Sequence, residues 1–401
     1  MKKNIKNILI LTQYFPPETG AAASRMSDFA MELKKNGFNI EVLTEKPSYC
    51  LPTKIMDKDK YIEDIKIVRT KVWKTSRENI FGRFFYYMSF MFSSIFNYNK
   101  FKNVDIIWVT SPPITVGIAG YILSKLLKIP FILDVRDLWG ESINVFSNVK
   151  IPGAVFCIKR IEKFLFINSI ALTGAVPAFK DTFLSIVNKD HPIFTLINGV
   201  PRNFINSNKT NDFPLPNKLQ NKFICLFFGN FGLAYDYYFL PEMLKYFEKT
   251  NKHIQFLFVG DGVKKAELIK YSDQASNLTV LPSVSREQIK YYMQKSDLCM
   301  IPILTNPFFR DTFPAKMFEF FAYKKPVILS STEKAGEMVT KNNMGIYLDN
   351  NRSDTWIKAI EKLVSNPELK EKMGVNAYEL VFTQYTKDII IKDFVKYLKS
   401  L

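Results

Sequence analysis

The sequence predicts an α/β protein built from two doubly wound, Rossmann-like domains facing each other across a cleft. Three observations carry that prediction. Near-continuous apolar runs alternate with helical patterns through the first half, as strands of a parallel sheet covered on both faces require. The same alternation restarts after residue 220. Between them, PRNFINSNKTNDFPLPNKLQNK (201–222) is rich in Asn, Pro and Lys and has no period, which marks a linker. Length agrees, because 401 residues exceed one comfortable core.

In order, the first-half strand candidates are NILILTQ, NIEVLTE, KIVRTKV, DIIWVTS, PFILDVRD, IALTGAV and FTLINGV. ASRMSDFAMELKKNG reads as a helix, with its 3.6-residue apolar period, terminal lysines and closing Gly37. The second set is FICLFFGN, IQFLFVGDG, LTVLPSV, LCMIPIL, PVILSST and GIYLDN. The domains are expected at 1–205 and 206–384. The last stretch, YTKDIIIKDFVKYLKSL (385–401), has an apolar stripe that must be buried somewhere, and packing back on the first domain is one solution.

Composition narrows the class. With 47% hydrophobic residues the chain can bury a full core, which argues against disorder. The four cysteines, Cys50, Cys157, Cys225 and Cys299, form no C-x-x-C pair, so neither a zinc site nor a disulfide framework is suggested and a reducing compartment fits best. The N-terminal apolar run is too short for a signal peptide, and no segment reaches 18 uninterrupted apolar residues, so a spanning protein is not expected.

A net charge of +17 calls for an anionic partner. No groove of interleaved basic and aromatic residues and no RNP-like motif speaks for nucleic acid. Residues 66–102 carry eight Lys or Arg against one acid, Glu78, and enclose FGRFFYYMSFMFSSIF. Such a stretch reads as an interfacial segment on an anionic membrane surface, with Arg83, Phe84, Phe85, Tyr86, Lys100 and Lys102 as contact residues. A buried core helix with solvated flanks is the alternative.

Ligands of open parallel sheets bind beyond the carboxyl ends of the strands, where helix N-termini present free N–H groups. Four such places stand out. In QYFPPETGAAASR, Gly20 and the alanines allow a ligand close to a helix start, with Arg25 one turn in. DVRDLWGES gathers Asp134, Arg136, Asp137 and Glu141 at one strand mouth, more charge than packing alone explains. FFGNFG (Gly229, Asn230) and FVGDGVKK (Gly260, Lys264, Lys265) end strands in glycine, although neither is a dinucleotide or P-loop signature. The fourth is TFPAKMFEFFAYKKPVI (312–328), where Pro314 opens a helix and Lys316 and Glu319 share one face among Met317, Phe318, Phe320 and Phe321. A carboxylate in that company needs hydrogen bonds, so the pair either caps local structure or grips a diphosphate and sugar hydroxyls.

Together with LTQYFPPETGAAASR, VTSPPITVGIAGYILSKLLKIPFILDVRDLWGES, GNFG, VGDGVKKAEL and PAKMFEFFAYKKPVI, the chain resembles the retaining GT-B glycosyltransferases of family GT4 over essentially its full length. It looks most like bacterial O-antigen and capsule enzymes, including N-acetyl-L-fucosaminyl transferases. The resemblance implies a GT-B fold with a C-terminal helix crossing back to the first domain. It implies that the E-x7-E pair, here Asp311 and Glu319, marks the donor site, with Glu319 on the nucleotide ribose. Lys316 and the Gly20 loop would meet the diphosphate, and the backbone near Ser283 and Val284 the base. Two features depart from the pattern. The chain has two histidines, His191 and His253, neither at a first-domain strand end, and GNFGLAYDYY lacks the Arg and Lys that many relatives place there.

The activity expected is transfer of a sugar from a UDP-sugar to a polyprenyl-diphosphate-linked saccharide, with no cofactor. Lysines and helix dipoles would stabilise the leaving diphosphate, and that phosphate would accept the acceptor's proton. Arg25, Arg136, Asp137 and Glu141 are placed on the acceptor side. The one D-x-D, Asp57 and Asp59, lies in a lysine-rich loop and is not expected to hold a metal. The enzyme is expected at the cytoplasmic face of the bacterial inner membrane as a peripheral protein. A UDP-sugar epimerase and a non-catalytic membrane-bound sugar-binding module are the rival readings.

Overall fold

Two sheets of mainly parallel strands organise the chain. The computed structural model describes residues 5–18, 20–47, 61–62, 64–73, 80–141, 153–205 and 213–401. One unit comprises the chain to Ile197 together with Lys387–Leu401, and the other Asn198–Thr386.

The first unit holds β1 (Asn7–Leu11), β2 (Asn39–Glu45), β3 (Tyr61–Ile62), β4 (Ile65–Thr70), β5 (Ile106–Ser111), β6 (Phe131–Val135), β7 (Ala171–Gly174) and β8 (Ile193–Thr195). Their order is β3-β4-β2-β1-β5-β6-β7-β8, parallel except where β3 pairs with β4. Central strands such as IIWVTS are buried at every position, which explains their unbroken apolar reading. FTLINGV yields a shorter strand than its sequence suggests. β8 stops at Thr195, and Val200, which already belongs to the second unit, forms an isolated bridge with Thr386 of that same unit.

Helices cover both faces. On one lie α1 (Ala21–Lys35) and the terminal helices, whose Ile391, Phe394, Val395 and Leu398 join the core of Ile8, Ile10, Phe29 and Trp108. On the other lie α2 (Ile80–Phe96), α3 (Ile114–Leu127), α4 (Ala154–Asn168) and α5 (Phe179–Leu184), packed over Leu9, Leu11, Val109 and Leu133. Gly120 is there because a Cβ would lie 2.3 Å from a Val109 methyl.

The second unit holds β9 (Phe223–Asn230), β10 (Ile254–Asp261), β11 (Leu278–Leu281), β12 (Leu298–Pro302), β13 (Val327–Ser330) and β14 (Gly345–Leu348). The order β11-β10-β9-β12-β13-β14 reverses direction between β9 and β12, and ligands of doubly wound sheets bind at such a switch point. Helices α6 (Leu240–Thr250), α7 (Lys265–Gln274), α8 (Arg286–Lys295), α9 (Ala315–Ala322), α10 (Glu333–Lys341), α11 (Ser353–Val364) and α12 (Pro367–Gln384) surround it. The chain then returns to the first unit as α13 (Lys387–Ile390) and α14 (Lys392–Ser400).

Candidate active site

At the switch point of the second unit, β9 ends in Gly229 and Asn230. Gly229 has φ +114°, a backbone state that disfavours a side chain. Gly260, the matching residue of β10, pairs with it in register. A Cβ on Gly260 would lie 1.8 Å from the Gly229 carbonyl oxygen, so the two glycines let the two strand ends touch. Gly260 therefore has a packing role that suffices to explain it.

Helix α9 follows β12 through a loop fastened by Thr332, whose Oγ1 donates to the Thr312 carbonyl at 2.7 Å. That loop holds Asp311, which is half-buried. Pro314 opens the helix, as its fixed φ favours. Two residues on, Lys316 points back towards Gly229, its Nζ 3.5 Å from where a Gly229 Cβ would sit. The residue is 9% exposed. Its ammonium lies over the rings of Phe227 at 3.8 Å, Tyr235 at 4.3 Å and Phe228 at 5.8 Å. It has no hydrogen-bond partner among the described residues. Ring faces attract a cation, but they do not replace the hydrogen bonds it left in water. The pair with Glu319 that local capping would require is not made. A buried cation in this state lacks the acceptors that an anion would supply.

Glu319 is half-buried one turn further along α9. Burial, and then the Glu319 carboxylate, pushes the phenol of neighbouring Tyr323 up to about 12. The other expected diphosphate groups are engaged otherwise. Lys264 donates to the Tyr235 carbonyl at 2.6 Å, and Lys265 pairs with Asp261 at 2.7 Å. The Lys264 bond steadies one wall of the Lys316 cage. Ser283 and Val284 are half-buried in the loop between β11 and α8.

In the first unit the charges at the strand mouth divide. Arg25 and Asp134 form a buried ion pair at 2.9 Å. Asp134 also accepts from Thr173 at 2.7 Å and Thr110 at 3.3 Å, and Arg25 donates to the Leu196 carbonyl. Asp134 is thus a structural acid, and Arg25 is held by it rather than presented outward. Arg136 is half-buried and donates to the Pro112 carbonyl, while its Nε is buried without a partner among the described residues. Burial lowers its guanidinium below the ordinary arginine value, against the pull of Asp137. Crowding by neighbouring atoms raises the Asp137 carboxyl, but its side chain is exposed by surface area, which limits that rise. Glu141 is exposed. Gly20 caps α1 with φ +137° and open space where a Cβ would point, so the backbone there is approachable.

On α2, Phe84 and Phe85 face outward, Arg83 is half-buried, and Lys100 and Lys102 are exposed. Tyr86 does not belong with them. It is 1% exposed and its hydroxyl donates to the buried carboxylate of Glu45, because a position two past Phe84 falls on the opposite side of the helix. The D-x-D pair, Asp57 and Asp59, lies outside the described residues. What the sequence reading lacks is the aromatic cage of Phe227 and Tyr235, whose trace is the density of rings in FFGNFGLAYDYY.

Residues 208–380 match the family described as Glycosyl transferases group 1. A putative teichuronic acid biosynthesis glycosyltransferase, TuaH of Bacillus subtilis, is 24% identical over 242 residues, 58% of this chain and 58% of that protein. The chain spans about half the length of the curated relatives it matches. Sucrose-phosphate synthase of Thermosynechococcus elongatus superposes with a TM-score of 0.72 at 15% identity, covering 98% of each chain. HepE of Anabaena, solved in complex with UDP-glucose, gives 0.71 at 15% identity over 98% of this chain and 100% of that one. The fold, two Rossmann-like α/β units, is that of GT-B glycosyltransferases.

Proposed function

We propose that this chain is a group 1 glycosyltransferase that moves a sugar from a UDP-sugar to a polyprenyl-diphosphate-linked saccharide, with retention of anomeric configuration and without a cofactor. The observation that carries this reading is the Lys316 ammonium, buried at the sheet's switch point with no hydrogen-bond partner among the described residues. The diphosphate of a UDP-sugar supplies the missing acceptors. Charge then accumulates on that leaving group as the glycosidic bond to phosphate breaks, next to a fixed cation in a site of low dielectric. The acceptor hydroxyl attacks from the same face, and its proton passes to the departing phosphate oxygen. Glu319 takes the ribose hydroxyls, Asp311 lies near the donor sugar, and Ser283 and Val284 receive the base. Arg136, Asp137 and Glu141 attend the acceptor. N-acetyl-L-fucosamine, in capsule or O-antigen assembly, is the sugar to which the sequence resemblance points.

A membrane-borne acceptor places the enzyme peripherally on the cytoplasmic face of a bacterial inner membrane, with α2 as the docking element. No helix among the described residues is long and apolar enough to cross a membrane.

The test is a thermal-unfolding screen of nucleotide sugars, since a ligand binding the native state alone adds about 2.7 kcal/mol at a hundredfold excess over Kd. UDP-sugars are expected to raise the midpoint and GDP-sugars to leave it in place. Incubation with the stabilising sugar and lipid-linked acceptor should then yield a glycoside of retained configuration. Stabilisation by no UDP-sugar, or an epimerised nucleotide sugar formed without acceptor, overturns the proposal.

A further inference from the structure

The outward layer of the first unit is more apolar than a solvated surface requires. On α2, positions 81, 84, 85, 88, 92 and 96 recur at helical spacing and form one stripe of five phenylalanines and a methionine. Phe81 is 70% exposed and Phe96 81%. Helix α3 lies beside α2 and packs on its other side against α4, where the Tyr121 and Phe164 rings meet at 4.8 Å. On this middle helix Leu126 is 48% exposed and Ile118, Tyr121 and Ile122 are half-buried, and Lys125 is its one exposed polar side chain. On α4, Phe156 and Ile167 are 62% and 53% exposed.

The charge on this layer has one sign. The three helices carry Arg83, Lys125, Lys159, Arg160 and Lys163. Their single carboxylate, Glu162, turns inward and accepts from the backbone N–H groups of Trp139 and Gly140. Lys125 lies over the Tyr121 ring at 5.2 Å and Arg160 over Phe156 at 5.3 Å, so cations and rings share the same surface.

We infer that α2, α3 and α4 form one bilayer-docking face, in which α4 contributes apolar anchors and cations of its own, and that its partner is an anionic lipid surface. Rings enter the interface while Lys and Arg meet lipid phosphates, the division that amphipathic side chains favour. A second copy fits poorly, because an isologous contact would set five cations against five without acids between them. This deepens the membrane-associated reading given above, moving the surface from one segment to a three-helix layer.

The test is sedimentation of the full chain with vesicles at about 0.1 M salt, where screening still leaves surface charge felt. Vesicles of phosphatidylcholine with phosphatidylglycerol are compared with phosphatidylcholine alone. The wild type should bind the anionic vesicles selectively. A charge variant, Lys159→Glu with Arg160→Glu and Lys163→Glu, should weaken partitioning roughly a hundredfold or more. An apolar variant, Phe156→Ser with Ile167→Ser, should weaken it roughly tenfold. Both sets of positions are exposed, and unchanged unfolding midpoints and UDP-sugar binding confirm that they fold. If the wild type binds and both α4 variants bind equally well, α4 is no part of the face and this inference fails while membrane association stands. If the wild type ignores anionic vesicles, both fail. Self-association of the wild type that these variants abolish, without vesicle binding, assigns the face to a contact between copies and overturns the inference.

Discussion

The ammonium of Lys316 lies 3.8 Å from the centre of the Phe227 ring and finds no hydrogen-bond acceptor among the described residues. Two opposite effects follow from this placement. Without a ligand the charge is a burden on the fold, because ring faces return less than water did. With a diphosphate bound, the same desolvation strengthens the attraction.

Lys316→Met separates those effects. The variant should bind UDP roughly ten- to a hundredfold more weakly, the loss of a charge-assisted hydrogen bond. Its unliganded form should unfold at the same temperature as the wild type or higher, since a desolvated charge gives way to an apolar chain of similar length. Calorimetric titration and thermal unfolding read the two quantities separately. A large drop in unliganded stability would mean that the lysine serves the fold.

Glu319→Ala tests the other half of the pair. It should remove transfer while leaving the protein folded, and weaken UDP binding by about 1.5–3 kcal/mol if the carboxylate holds ribose hydroxyls. Binding of UDP compared with free phosphate or diphosphate locates the loss, because a ribose contact leaves diphosphate affinity unchanged. Full activity in this variant would remove Glu319 from the donor site.

Both residues are legible in the sequence because a cation and an acid amid Met and Phe violate the helix's apolar pattern, and that violation needs no three-dimensional information. The alternation of apolar runs exposes the sheets for the same reason. What the chain hides is competition for partners. Lys264 follows a glycine-rich strand end as a phosphate-binding lysine would, yet it donates its hydrogen bond to the Tyr235 carbonyl, and nothing local in VGDGVKK announces a partner 29 residues away. Arg25 is captured by Asp134 across 109 positions in the same manner. Tyr86 fails differently, since its neighbours Phe84 and Phe85 share its aromatic character but not its side of the helix.

Gly260→Ala should be far more damaging than its size suggests. The added methyl would meet the Gly229 carbonyl 1.8 Å away, and backbone cannot yield as a flexible side chain can. We expect a loss of about 3 kcal/mol or more in the second unit, at the severe end for point substitutions. Gly37→Ala is the control, with positive φ but nothing within 4 Å of the new Cβ, and should cost about 1–2 kcal/mol. Urea unfolding followed by tryptophan and far-ultraviolet signals gives both values. Equal costs would refute the close approach of the two strand ends.

The last prediction concerns Arg25 and Asp134, whose ion pair has side chains 3% and 0% exposed. Removing one partner leaves the other charge stranded, so Arg25→Met should cost about 3–5 kcal/mol, and Asp134→Leu a similar amount. The double variant should lose less than the sum, because neither charge then remains to be solvated. If Arg25 instead serves the acceptor, Arg25→Met will leave unfolding unchanged and raise the KM for the lipid-linked saccharide. Urea midpoints and acceptor kinetics on the three variants distinguish the two roles. The geometry favours the first, since Arg25 already donates to Asp134 and to the Leu196 carbonyl, and Thr173 and Thr110 complete the acid's own bonds.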